Sequence, residues 1–271
     1  AHLETDGASK TSSPFAGSIG EGYVFPTTGL VVTNEGYPVD ESVGPGGDER
    51  NGVIKSLVRH AFVDGPGLAA DIVTGDTDAF QSRMKTLDTI CPLSYRYRNY
   101  YHWTIETLPR IRYARAWEGR TNEEVTYLVW SNAPPYVDET LELLGVPERK
   151  IERAAAPVYH ASTVVVPSFP DQTTSDHQWL RESILEVVET DPGSIDDGSN
   201  VYISRSNAIE RRVVNEGAVI EMLSQYGFES YALEDQSVAE NVRLFNEADA
   251  VVGAHGAGLT DLIYCDDTVV L

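Results

Sequence analysis

The stretch Ala250-Val251-Val252-Gly253-Ala254-His255-Gly256-Ala257-Gly258-Leu259-Thr260 reads as an apolar strand that runs into a glycine-rich turn and then into a helix. Glycines let a backbone approach a ligand closely, and the amino end of a helix offers N–H groups to an anion. Around it the alternation is regular: strand Val201 to Ser204, helix Val213 to Tyr226, strand Ser230 to Leu233, helix Val238 to Ala248, strand Ala250 to Val252, helix Leu259 to Tyr264 and strand Thr268 to Leu271. Strands alternating with helices of this length predict βαβ units and a parallel sheet, so the class is α/β. The glycine order is not the dinucleotide fingerprint G-x-G-x-x-G, and the acidic residue that motif carries about twenty positions later would lie past Leu271. A nucleotide diphosphate suits the turn better than a dinucleotide.

Upstream, Asp191 to Asn200 is dense in Pro, Gly, Ser and Asp and is read as a linker and a domain boundary. Before it come helix Trp103 to Trp117, strand Val125 to Trp130, helix Pro135 to Leu144, strand Val158 to Val166 and helix Asp176 to Thr190. Short β-like runs cover Val53 to Val58, Ala61 to Val63 and Asp71 to Val73. The opening residues, rich in Gly, Ser, Thr and Pro, read as loops with one short strand at Val31 and Val32. The expected organisation is therefore a loop-rich segment over 1–52, an α/β unit over 53–190 and a Rossmann-like unit over 201–271, with a ligand cleft between the halves or at the carboxyl ends of the strands. The chain begins at Ala1 and stops inside the apolar run Thr268 to Leu271, which reads as an interrupted strand and hence as a fragment.

The net charge of −22, from 42 acidic and 20 basic residues, argues against a nucleic-acid or anionic-membrane surface, because both need basic patches. Four of the basic residues are lysine: Lys10, Lys55, Lys85 and Lys150. A lysine-poor, acid-rich composition of ordinary hydrophobic content resembles that of proteins from salt-loving archaea, where salt screens the self-repulsion. Cys91 and Cys265 have no metal-ligand or redox spacing, which fits a reducing cytoplasm. No apolar stretch approaches the roughly 18 residues of a membrane helix. A cytoplasmic protein is expected, with room for peripheral attachment at the inner face of the membrane.

Two further stretches could carry chemistry. In Asn99-Tyr100-Tyr101-His102-Trp103-Thr104-Ile105-Glu106-Thr107-Leu108-Pro109-Arg110, His102 and Glu106 are four apart, so on a helix they share a face and the carboxylate can orient the imidazole. Such a pair could deprotonate a hydroxyl near neutral pH; by spacing alone, a hydrogen-bonded histidine in an aromatic helix start explains it as well. In Tyr202-Ile203-Ser204-Arg205-Ser206-Asn207-Ala208-Ile209-Glu210-Arg211-Arg212 a strand ends in a loop holding three arginines, a local positive site whose natural ligand is phosphate. Arg211 and Arg212 could instead pair with Glu210 and Glu216, whereas Arg205, directly after the strand, has the stronger claim. Between these lies Leu233-Glu234-Asp235-Gln236-Ser237-Val238-Ala239-Glu240. Here Ser237 and Glu240 have capping-box spacing, and Glu234 or Ser237 could also meet a ribose or base.

In order and spacing, these stretches resemble glycosyltransferase family 61, which contains eukaryotic xylosyl-, arabinosyl- and N-acetylglucosaminyltransferases and many microbial capsular polysaccharide enzymes. The resemblance runs from about Asn99 to the end. It rests on His102, Glu106, Leu108, Pro109 and Arg110, on Ile203-Ser204-Arg205, on the helix Ser237 to Ala248, and on Val252-Gly253-Ala254-His255-Gly256-Ala257-Gly258-Leu259. It implies a GT-B-like fold of two Rossmann-like halves and inverting transfer, with no obligatory metal or cofactor, from a nucleotide sugar, of which a UDP-sugar is the first choice, to a glycan or protein hydroxyl. His102 and Glu106 would then be catalytic. Arg205, Arg211, Glu234, Ser237, His255, Gly256, Ala257 and Gly258 would bind the donor. The family usually carries Asn where this chain has Thr260, followed here by Asp261. The alternatives are an NAD-dependent oxidoreductase, against which the missing fingerprint counts, and a non-catalytic nucleotide- or carbohydrate-binding protein on the same scaffold.

Overall fold

A computed structural model describes residues 15–44, 55, 77–94, 96–170, 174–188, 199–266 and 269–270. In chain order the first half contains β1 (Ala16–Ile19), β2 (Gly22–Phe25), β3 (Leu30–Thr33), α1 (Thr77–Ser82), β4 (Met84–Pro92), a π-helical turn His102–Thr107, α2 (Arg110–Thr121), β5 (Thr126–Val129), α3 (Pro135–Leu143), β6 (Ile151–Arg153), β7 (Val158–Pro167) and α4 (Thr174–Leu185). The second half contains β8 (Ser199–Ile203), α5 (Glu216–Ser224), β9 (Phe228–Tyr231), α6 (Val238–Asn246), β10 (Ala248–Gly253), a 3-10 helix Ala257–Tyr264 and β11 (Val269–Val270).

The strands form two sheets. One runs β3-β2-β7-β4-β5-β6, with β1 also on β7; the other runs β11-β10-β8-β9. In the first, β7, β4, β5 and β6 are parallel, and β1, β2 and β3 extend it antiparallel. The second is parallel throughout. The apolar runs Val164 to Val166 of β7 and Val201 to Ile203 of β8, buried throughout, fit strands covered on both faces, as parallel sheets require. Helix α6 shows how the connections are made. Ser237 and Glu240 close a reciprocal capping box at its start, and Val238, Val242 and Phe245 are buried at helical spacing. One apolar cluster includes Cys91 and Val165 of the first sheet together with Val201, Ile203 and Val251 of the second. A smaller cluster, with Val24, Ile90, Tyr159 and Val164, lies among β2, β4 and β7. The two sheets thus share a core.

The α/β class stands, and several expectations need correction. The residues read as opening loops include β1 and β2 as well as β3, because their backbone groups pair with β7 and with one another. Strand β4, unrecognised in the sequence, is central: Lys85 and Asp88 interrupt its first residues, yet Ile90, Cys91 and Pro92 are buried. Helix α5 starts at Glu216 rather than Val213, leaving Val214 fully exposed. The helix after the glycine turn is 3-10. The runs Val53–Val58, Ala61–Val63 and Asp71–Val73, and most of the linker, lie outside the described residues. Among the described residues no helix is long and apolar enough to cross a membrane.

Candidate active site

The His102 segment leaves the carboxyl end of β4. Asn99 accepts a hydrogen bond from the His102 backbone N–H at 3.1 Å, fixing the entry to the turn. Pro109 has no N–H to give to Ile105, and Leu108 N–H bonds instead to the carbonyl of Trp103, five residues back, at 2.9 Å. The turn is accordingly π-helical. Trp103, fully buried, donates to Thr140 of α3 at 2.8 Å and packs on Trp130, which orients the neighbouring His102.

His102 and Glu106 meet as their spacing predicts. Nδ1 lies 2.7 Å from a Glu106 carboxylate oxygen, with the side chains 23% and 14% exposed. The imidazole stacks on Tyr97, centroids 4.5 Å apart, and meets the edge of Tyr101. With Nδ1 donating to the carboxylate, the neutral tautomer carries its lone pair on Nε2, the form a general base requires.

At the second sheet, the chain leaves β8 for β9 on one side and returns to β10 on the other. The strand order therefore reverses between β8 and β10. The crevice outside the carboxyl ends at such a reversal is where open α/β sheets bind ligands. Arg205 follows β8 and the glycine turn follows β10, and because Ile203 pairs with Gly253 the two loops emerge side by side. A Cβ on Gly256 would lie 1.9 Å from an Arg205 guanidinium nitrogen. Glycine here is explained by that guanidinium, since the Gly256 backbone is simply extended. Gly258 likewise leaves room for Leu233, at 2.8 Å from where its Cβ would be.

The Arg205 guanidinium donates to backbone carbonyls, that of Glu210 at 2.8 Å and that of Arg211 at 3.3 Å. Glu216 does not pair with Arg211 or Arg212 as the alternative reading supposed. Its carboxylate accepts from the Arg205 backbone N–H at 2.6 Å and from the Tyr202 hydroxyl at 3.1 Å. Arg211 is exposed and takes a left-handed backbone at φ 57°. Glu234 is exposed in the turn after β9, and Asn207 reaches from the arginine loop to neighbouring Asp235 at 3.5 Å. Ser237 is occupied in its cap, donating to Glu240 at 2.7 Å. His255 is exposed beside Gly256.

Sequence reading missed the contact that joins these segments. Tyr100, two residues before His102, donates to Asp261 at 2.6 Å, and Asp261 lies on the 3-10 helix that begins with Ala257 and Gly258. Segments leaving the carboxyl ends of β4 and β10 therefore touch. The departure at Thr260-Asp261 was the available signal, but nothing in it named a partner.

The search of curated proteins found no significant match. The profile of the glycosyltransferase 61 family, however, matches residues 100–271, a span that contains the His102 turn, the Arg205 loop and the glycine turn described above. That match decides for a transferase over an NAD-dependent oxidoreductase: the chain belongs to glycosyltransferase family 61 and is a glycosyltransferase.

Proposed function

We propose that the protein moves a sugar from a UDP-sugar to a hydroxyl of a glycan or protein in a single inverting displacement. His102 Nε2 takes the proton of the acceptor hydroxyl, whose oxygen attacks the anomeric carbon. The bond from that carbon to the phosphate oxygen breaks, and UDP leaves with the electron pair. Glu106 holds the imidazole and balances the imidazolium as it forms. Arg205 and the backbone N–H groups of the 255–258 turn stabilise the charge growing on the diphosphate, the task a divalent cation performs in metal-dependent transferases. Arg211 would lie at the edge of that charge, with Glu234 and Ser237 on the ribose or base side. In this reading the molecule is GT-B-like, with the first sheet's His102 segment facing the acceptor across the cleft from the donor loops.

The observation that carries the reading is the guanidinium of Arg205, seated in a notch that only glycine leaves and bonded there to carbonyls rather than carboxylates. Its charge is thus not cancelled by its own hydrogen-bond partners, in a chain where anionic residues outnumber cationic ones two to one. Such a site favours a ligand with more negative charge than the protein supplies locally. Calorimetry with UDP in molar KCl tests this, with and without EDTA. Wild type should bind UDP in both conditions, and Arg205→Ala should weaken binding at least about tenfold, on the scale of one charge-assisted hydrogen bond. Binding that vanishes in EDTA would end the metal-independent mechanism. Failure to bind UDP while another nucleotide binds would replace the donor class.

A further inference from the structure

We propose that Asp261 is a positioning residue: through its hydrogen bond to Tyr100 it sets the turn carrying His102 and Glu106 against the glycine loop that opens its own helix. This rests on the functional reading above. Tyr100 and Asp261 are 161 residues apart in sequence and belong to segments that follow different sheets, yet their oxygens are 2.6 Å apart. Each residue is tied closely to one half of the candidate site. Tyr100 lies two positions ahead of His102, and Asp261 lies three past Gly258, which packs over Leu233.

Stability does not explain this pair. Asp261 is 1% exposed, and among the described residues its second oxygen has no hydrogen-bond partner and the nearby Thr260 and Tyr264 hydroxyls are also buried without one. A buried carboxyl left partly unpaired is costly, and apolar residues would fill the volume with less penalty. No cation among the described residues offsets it: burial raises its carboxyl to about 7, and the Tyr100 hydrogen bond pulls in the other direction. On the facing side, Tyr100 itself rests edge-on against Tyr136 of α3, and Tyr136 donates to the Arg98 carbonyl at 2.6 Å. The bond therefore ends in a braced aromatic group rather than a mobile one. A one-ångström misplacement of a base relative to a donor can cost about 100-fold in rate. A short, buried bond across the seam is a means of preventing it.

The test compares Tyr100→Phe and Asp261→Asn with wild type, measuring sugar transfer, UDP affinity, thermal midpoint and the slow hydrolysis of the same UDP-sugar by water. Tyr100→Phe should lower transfer kcat about tenfold while UDP affinity and donor hydrolysis stay within about twofold, because the donor loop is intact and only the acceptor-side turn is released. Asp261→Asn keeps an oxygen that accepts the same bond and should stay within about threefold of wild type. Asp261→Leu removes the acceptor at similar volume and offers a second route should Tyr100→Phe not fold. An unchanged ratio of transfer to hydrolysis in both bond-breaking variants overturns the proposal. So does an Asp261→Asn variant as impaired as Tyr100→Phe, or parallel losses of transfer and UDP affinity. A wild type that neither binds UDP nor transfers any sugar breaks the functional reading instead.

Discussion

His102 and Arg205 are both held by groups that belong to the protein, but by groups of opposite kind. The imidazole leans on a carboxylate, 2.7 Å from Glu106. The guanidinium leans on two carbonyls and on the space above Gly256. A base profits from a negative partner, because its working state is the cation that forms after it takes a proton. An anion-binding arginine would be spoiled by the same partner, because its charge would already be spent. Under the proposed function, the difference teaches how an acidic chain would separate proton handling from charge binding: the nearby Glu216 accepts from the backbone N–H of Arg205, while the guanidinium is bonded to carbonyls.

The strongest way to break the comparison is to remove the proposed base. His102→Ala should lower transfer kcat about 100-fold or more, the usual contribution of a positioned acid–base group, with UDP affinity unchanged. Glu106→Gln keeps the shape and removes the charge, so its loss should be smaller, about tenfold, and confined to kcat. Steady-state kinetics with separately measured UDP affinity separates the two. Near-normal transfer by His102→Ala would end the base assignment, and a Glu106→Gln loss appearing in UDP binding would place the pair on the donor side.

A smaller effect sharpens the other half. Gly256→Ala puts a methyl where the guanidinium sits, and the extended backbone accepts alanine without strain. The side chain of Arg205 must swing away while the fold persists. UDP affinity should fall about threefold to tenfold, with a thermal midpoint within a few degrees of wild type, and the change should add little to Arg205→Ala because both act on one contact. Full additivity of the two, read by calorimetry, would mean that Gly256 serves the ligand by some route other than Arg205.

How far the sequence discloses this arrangement depends on the range of the interaction. The β8 to β10 alternation is legible because a parallel sheet buries both faces and writes continuous apolar runs. The His102–Glu106 pair is legible because it is local, and it survives the change from α- to π-helical turn. Strand β4 is not legible: Lys85 and Asp88 break its apolar run, and its burial is conferred by β7 and β5, strands distant in sequence. Strands β1 and β2 are hidden for a similar reason: each is four residues long and set among glycines, and the burial of Val24 is conferred by pairing with β7, a strand distant in sequence. The meeting of Arg205 with Gly256 follows from the register Ile203 to Gly253, which no local pattern encodes. Least legible is Tyr100 with Asp261, where residue type gives no hint of a partner 161 positions away.

That pair also yields a prediction in stability rather than rate. The folded Asp261 carboxyl is raised by burial from 3.8 to about 7. Below about pH 4 it is protonated folded or unfolded, and it contributes no pH dependence. Between there and about pH 7 the unfolded chain gives up a proton that the folded protein keeps, so stability falls as pH rises; above about 7 both states are ionised and the loss is constant. Asp261→Asn keeps the bond to Tyr100 and never ionises, although its amide N–H groups inherit the place of the unpartnered oxygen, which takes back part of the gain. The variant should therefore be more stable than wild type by about 2 kcal/mol at pH 8, with most of that advantage gone at pH 4.5. Urea midpoints across this range, at constant high salt so that the general acidity of the chain is screened alike in both proteins, measure it. Parallel curves would mean that the carboxyl is ionised throughout, and that the seam between the two sheets holds water or a cation where Asp261 now has Tyr100 as its hydrogen-bond partner.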